Sequence, residues 1–169
     1  AYGHAFHMPI IAWSQNLTLE RAAECGATLV SKEELFAQSD VVSIHVRLSE
    51  RTKGLVTSHD LSLMKPSAYF VNTSRGPIVD EPALIDLLRR KAIAGAALDV
   101  FDEEPLPLNH TLRDMENTVI TPHLGYVTTE SYKVMYDDAA EDIQAFLSGQ
   151  FTRVLNPTVL DRSNLRHMK

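Results

Sequence analysis

The chain has 169 residues, 44% of them hydrophobic and 22% charged, which is enough apolar material for one ordinary core and a tail. Its 16 basic and 22 acidic residues give a formal net charge of −6, and the basic ones are scattered rather than clustered. That pattern offers no footprint for a phosphate backbone, so nucleic acid is not expected as a partner. No apolar run is long enough to span a membrane and no secretory leader pattern opens the chain, which points to a cytoplasmic protein.

Residues 1–7 read as the last turns of a helix feeding a first strand at 9–13. His4 and His7 stand three apart with no third donor near them in sequence, so no metal is expected. A helix at 18–25 ends beside Gly26; its Cys25, the single cysteine, can form no internal disulfide and is assigned a small packing role. Further strands follow at 27–29, 40–45, 68–71, 94–99 and 118–121, with helices at 32–38, 58–64 and 82–91 between them. Asp80 stands where the last of these needs an N-cap, ahead of Glu81 and Pro82. A long final helix, 128–148, carries Tyr132, Met135, Tyr136, Ala139, Ile143, Phe146 and Leu147 at three-and-four spacing, and Gly149 ends it. Short β-branched runs alternating with amphipathic segments are the pattern of βαβ units around a parallel sheet buried on both faces. The fold class is therefore α/β, a Rossmann-like doubly wound parallel sheet.

In such sheets ligands sit beyond the carboxyl ends of the strands. The residues just past the apolar runs are Ser14 and Gln15; His45, Val46 and Arg47; Asn72, Thr73, Ser74 and Arg75; Asp99; and His123. Two arginines, one acid and two histidines at a single sheet edge suit proton transfer on a small anionic substrate. Taken singly each has a bland reading. Arg75 could be a solvated turn residue, Asp102, Glu103 and Glu104 an acidic loop, and His123 a satisfied core histidine. Their order and their common place past buried runs favour the chemical reading.

Three blocks carry a specific resemblance: NTSRGPIVDEPAL, GAALDVFDEEPLP and TPHLGY, in that order, are similar to the signature of the D-isomer-specific 2-hydroxyacid dehydrogenases. The stretch DVVSIHVRLSERTKGLV resembles the segment that lines the adenine side of that family's cofactor. The resemblance implies an oxidoreductase that moves hydride between NAD or NADP and a small anionic 2-hydroxy or 2-keto acid, like the phosphoglycerate dehydrogenases or the glyoxylate/hydroxypyruvate reductases. On it, Arg75, Glu104 and His123 match the family's catalytic arginine, glutamate and histidine. Arg75 would clamp the substrate carboxylate, His123 would carry the proton, and Glu104 would orient the imidazole. Ser14, His45, Val46, Arg47, Thr73, Ser74, Asp99 and Gly125 would face the cofactor, with Asp99 accepting from the nicotinamide carboxamide. The family also implies a homodimer, or self-association along strand edges.

The family pattern is broken in two places. Its GxGxxG loop is absent, since Gly3 is the only glycine before Gly26. The sheet is thus expected to be truncated at its N-terminus, without the first strand and the phosphate cradle. On that reading, residues 1–149 form an incomplete dinucleotide-binding domain and 150–169 a tail that would return to a substrate domain. The chain then resembles the second half of a protein of about twice the length, and by itself it should turn over substrate poorly. The second break concerns the acidic residue expected to bind the adenosine ribose, which is replaced by Ser14 beside Gln15 and Asn16. Arg47 stands where many members carry proline, and NADP therefore remains open beside NAD. Tyr126 stands where a second glycine is common. Two other readings are a nucleotide-sensing module, like the transcriptional corepressors of the same family, and a fragment without function.

Overall fold

A computed structural model describes residues 2–161, with the side chain of Asp161 left aside. The chain forms two compact units, residues 1–125 and 126–169.

In the first unit a short helix α1 (Tyr2–Ala5) leads into β1 (Ile11–Ala12), α2 (Leu19–Glu24), β2 (Thr28–Leu29), α3 (Lys32–Gln38) and β3 (Val41–Ile44). Then come α4 (Ser58–Ser62), β4 (Tyr69–Asn72), α5 (Glu81–Arg89), β5 (Gly95–Leu98) and β6 (Thr118–Ile120). All six expected strands form; five are shorter than expected, and β4 is shifted one residue toward Asn72. Local chemistry sets the helix starts. Ser31 and Glu34 form a reciprocal capping box ahead of α3, Thr57 and Asp60 do the same ahead of α4, and the Asp80 side chain accepts the Ala83 amide to start α5.

Every strand pairing is parallel, as the βαβ alternation requires. The strands form two sheets, β1 beside β2 and β3-β4-β5-β6 in sequence order. A cavity of about 750 Å³ lies between them, lined by Ile10 to Trp13 on one side and Val41 to Val46 on the other. No described strand fills it, so β1 and β3 each keep an unpaired edge there.

The core lies on one face of the larger sheet. Val42, Ile44, Phe70, Ala96 and Leu98 pack there against Phe36 of α3, Leu61 of α4 and Leu84, Leu87 and Leu88 of α5. The other face departs from the expectation of burial on both sides. Val41, Tyr69 and Val119 point out of it and are 51%, 54% and 67% exposed. Their apolar character comes from the strand pattern, but nothing among the described residues covers them. Cys25 likewise differs from its expected packing role: it caps the end of α2 and is exposed.

Asp60 ties α3 to α4. It is only 4% exposed, and it accepts from the Thr57 amide and hydroxyl, each at 2.7 Å, and from Lys32 Nζ at 2.6 Å. Burial pushes its carboxyl up, but the hydrogen bonds from Lys32 and Thr57 outweigh that and hold it below the usual aspartate range. A carboxyl whose folded-state affinity for protons is lowered stabilises the fold above its unfolded pKa of about 4 and loses that contribution as pH falls through the folded value. Asp60→Asn should therefore cost about 2 kcal/mol at pH 7, since it leaves the partly buried Lys32 ammonium without its anion, and less in acid. Urea unfolding of both proteins at pH 7 and at about pH 2 reads this; an equal cost at the two values would refute it.

In the second unit α6 (Thr129–Leu147) starts on the Thr128 side chain, which accepts the Ser131 amide, and stops where Gly149 turns to φ +72°. Its tyrosines Tyr132 and Tyr136 pack one turn apart with their rings tilted by 42° and the centroids 5.6 Å from each other. The chain leaves the helix through Arg153, whose guanidinium reaches Asp138, Glu141 and Asp142.

Candidate active site

Because the strands of the larger sheet run parallel, the loops leaving β3, β4, β5 and β6 emerge along one edge. The residues in them fix where the chemistry-bearing side chains go.

After β4 the side chain of Asn72, 1% exposed, does the work of a turn template. Its amide donates to the Arg75 carbonyl and its oxygen accepts the Ser74 amide, both at 3.0 Å. The Ser74 hydroxyl donates to the Val46 carbonyl, which fastens this turn to the loop after β3. Arg75 is left exposed on extended backbone. One guanidinium N–H reaches the Ser74 carbonyl at 2.6 Å, and the rest of the fork has no other partner among the described residues. Gly76 follows at once and is buried. A Cβ there would lie 2.0 Å from the Phe101 carbonyl carbon and 2.5 Å from the Asp102 nitrogen. The turn after β4 thus rests backbone against backbone on the loop after β5, a closeness only glycine permits.

After β5 the Glu104 carboxylate uses both oxygens. Oε1 accepts the Phe101 amide at 3.0 Å, and Oε2 lies 2.7 Å from His123 Nδ1. Both side chains of that pair are about one-third exposed, so the contact opens onto the surface. Burial pushes the Glu104 carboxyl up; the hydrogen bonds from His123 and Phe101, with the charges of His123 and Arg75, more than offset it and keep it below the usual glutamate range. The same interactions draw Arg75, Glu104 and His123, far apart in sequence, into one electrostatic neighbourhood.

After β6 the backbone of His123 is left-handed, at φ +58°. A non-glycine residue there costs roughly 1–2 kcal/mol and persists only where its neighbours hold it. Asp99, at the end of β5 and 5% exposed, supplies that hold. One of its oxygens accepts the Thr121 hydroxyl and the Leu124 amide, and the other accepts the Gly125 amide at 2.8 Å. Burial alone would raise its carboxyl; these donors lower it. Asp99 is therefore the brace that shapes the histidine loop, a role the sequence did not reveal, and Oδ2 retains acceptor capacity toward a ligand.

The remaining candidates are dispersed along the same edge. His45 pairs with the Ser43 hydroxyl at 2.9 Å, Val46 serves through its carbonyl, and Thr73 is exposed with no side-chain hydrogen bond among the described residues. Gly125 contributes its amide to Asp99. Ser14 and Arg47 do not join the Arg75 group; with Trp13, Gln15, Asn16 and Arg51 they line a separate cavity of about 230 Å³ at the ends of β1 and β3. Gly76, Asn72 and Thr121 are positioning residues that the sequence reading gave no role. A glycine wedged between an exposed arginine and a proline was the one signal that could have singled out Gly76.

Against known proteins, a family model described as D-isomer specific 2-hydroxyacid dehydrogenase, NAD binding domain, matches residues 1–125. The glyoxylate reductase of Aeropyrum pernix is 45% identical over 148 residues, which are 88% of this chain and 44% of that protein. The D-3-phosphoglycerate dehydrogenase of a Synechocystis species is 39% identical over 86% of this chain and 26% of its own length. A solved structure of a phosphoglycerate oxidoreductase from Vibrio cholerae superposes with a TM-score of 0.81 at 40% identity, over 88% of this chain and 48% of that one. The chain thus spans about half the length, or less, of the relatives it matches.

Proposed function

The chain belongs to the D-isomer-specific 2-hydroxyacid dehydrogenases, within their NAD-binding domain, and from that premise we propose that it is the cofactor-binding and acid–base half of an oxidoreductase acting on a small 2-hydroxy or 2-keto acid. The observation that carries this is the contact of Glu104 with His123 beside the exposed fork of Arg75. A planar guanidinium suits a carboxylate and the polarised carbonyl next to it. In reduction His123 donates a proton to the carbonyl oxygen, and in oxidation it accepts one from the hydroxyl. Glu104 holds the ring in place through Nδ1. The dinucleotide supplies the hydride.

The residues present fit that cofactor at its two ends. Oδ2 of Asp99, which accepts the Gly125 amide and keeps acceptor capacity, would hold the nicotinamide end, and the cavity at Ser14 and Arg47 would take the adenosine end. No GxGxxG loop occurs in the sequence, so a pyrophosphate finds no such cradle in this chain. On the same reading residues 150–169 run toward a substrate domain, and the unpaired edges of β1 and β3 favour self-association, which sedimentation would report as a concentration-dependent mass. A cytoplasmic setting belongs to the proposal too, because a nicotinamide-dependent reductase draws on the cofactor pool kept there.

The test is a fusion that places the preceding half of the Aeropyrum pernix glyoxylate reductase ahead of residue 1. It is assayed for reduction of glyoxylate and hydroxypyruvate and for oxidation of 3-phosphoglycerate, with both nicotinamide cofactors. Turnover that falls about 10²-fold or more in Arg75→Ala, chiefly through KM for the acid, is the expected result. A folded fusion without turnover on any of them would reject the proposal.

A further inference from the structure

The loop between β5 and β6 is gripped by a side chain that belongs to neither the substrate clamp nor the acid–base pair. Glu81, the first residue of α5, reaches across to it: Oε2 accepts the Asp102 amide at 3.2 Å, and Oε1 lies 3.3 Å from His110 Nε2. Both side chains are largely buried, Glu81 at 14% and His110 at 21% exposure. His110 Nδ1 accepts the Leu112 amide at 3.4 Å, which leaves the ring hydrogen on Nε2, at the Glu81 end. Leu112 is fully buried and anchors this part of the loop. Arg113 gathers the stretch between, donating to the carbonyls of Leu106 and Pro107 at 2.7 and 2.8 Å.

These contacts converge on one peptide. Phe101 and Asp102 present consecutive amides, and each is received by a glutamate, the first by Glu104 and the second by Glu81. Gly76 lies against the same peptide from the segment that leads into α5. Glu104 must reach back to the Phe101 amide with one oxygen while the other meets His123. A peptide plane turned away would take that amide from Oε1, and the fixed aim of Oε2 would go with it. Glu81 does not act here through its charge. Desolvation first, then the charges of Glu81 and Asp80, raise the Asp102 carboxyl, so the Glu81 anion repels its neighbour. What it supplies is two acceptor oxygens on one rigid helix start. Resting on the acid–base reading above, we infer that Glu81 is a positioning residue, which holds the Phe101–Asp102 peptide so that Glu104 meets His123 and itself touches no substrate.

The test reads the His123 ring in the chain as it stands, through the ¹⁵N resonances of the two ring nitrogens, which report the hydrogen bond at Nδ1. His123→Asn identifies these signals among the seven histidines, and Glu104→Gln marks where they fall when the carboxylate is lost. Glu81→Gln keeps the size of the side chain but leaves one donor unmet, and should move them about half of that distance or more. His110→Ala, which leaves the Asp102 amide on Glu81, should move them less, and in the same direction. Asp60→Asn, which lowers stability without touching this loop, should leave them in place. In the fused protein Glu81→Gln should lower kcat about tenfold with KM for the keto acid unchanged, and add nothing to Glu104→Gln. Ring resonances unmoved in folded Glu81→Gln overturn the inference, and the dehydrogenase reading then stands on its own turnover. If Glu81→Gln does not fold, His110→Ala decides in the same way. A double variant slower than Glu104→Gln alone also overturns it. A fusion without turnover rejects the dehydrogenase reading, and the ring resonances still decide whether Glu81 positions the pair.

Discussion

Gly76→Ala should be the most damaging single methyl in the chain, lowering stability by about 3 kcal/mol or more and the thermal midpoint by roughly 10 °C. The added Cβ would stand 2.0 Å and 2.1 Å from the carbonyl carbon and oxygen of Phe101 and 2.5 Å from the Asp102 nitrogen. All three are backbone atoms, so no side-chain rotation relieves the clash. One of the two loops must move by an ångström or more. The loop that moves carries either Arg75 or Glu104, and a shift of that size costs about 10²-fold in turnover when groups must act on one substrate. Gly54 is the informative control. It has φ +62° but nothing within 4 Å of a built Cβ, so Gly54→Ala meets only the left-handed penalty of about 1 kcal/mol. Thermal denaturation of the two variants separates steric exclusion from backbone strain. If they melt together, the backbone contact between the two loops is not what positions the site.

Much of this fold can be read from the chain because its signals are local. The β-branched runs mark the strands, and Ser31, Thr57 and Asp80 start their helices through bonds to amides three residues on, which a spacing rule captures. That Arg75, Glu104 and His123 lie toward one edge was legible for a related reason: parallel strands bring their carboxyl ends to one edge whatever the loops do. Asp99 was legible as a strand-end acid but not as a brace, since its partners Thr121, Leu124 and Gly125 arrive from 22 to 26 residues away and two of them present backbone, which has no sequence signature. The apolar face with Val41, Tyr69 and Val119 was misjudged because periodicity records what a side chain is suited to bury, not whether another element lies over it. The split of the strands into two sheets was hidden in the same way. Pairing depends on which strand lies next in space, and adjacency in sequence makes β2 and β3 look like neighbours when they are not.

Glu104→Gln in the fused protein should lower kcat by about 10²-fold while leaving KM for the keto acid nearly unchanged. The two side chains are nearly isosteric, so the effect has to come from donor and acceptor count. Both Glu104 oxygens now accept, one from the Phe101 amide and one at His123 Nδ1. Glutamine offers one acceptor and one donor. It can satisfy the backbone amide or the imidazole N–H, and whichever it fails is left facing an N–H group, at a cost of about 1–3 kcal/mol. On the proposed reading KM holds because Arg75, the residue assigned there to the carboxylate, is untouched. The Glu104 carboxyl lies below the usual glutamate range, so its contribution is present throughout neutral pH and is lost only as pH falls through that lowered value. His123→Asn removes the group proposed to carry the proton and should cost about 10³- to 10⁴-fold. If Glu104 acts only through the imidazole, adding Glu104→Gln to His123→Asn costs nothing more, because the residue it positions is gone. A double variant slower by the product of the two single losses would mean that Glu104 meets the substrate directly, and the division of labour in the site would have to be redrawn.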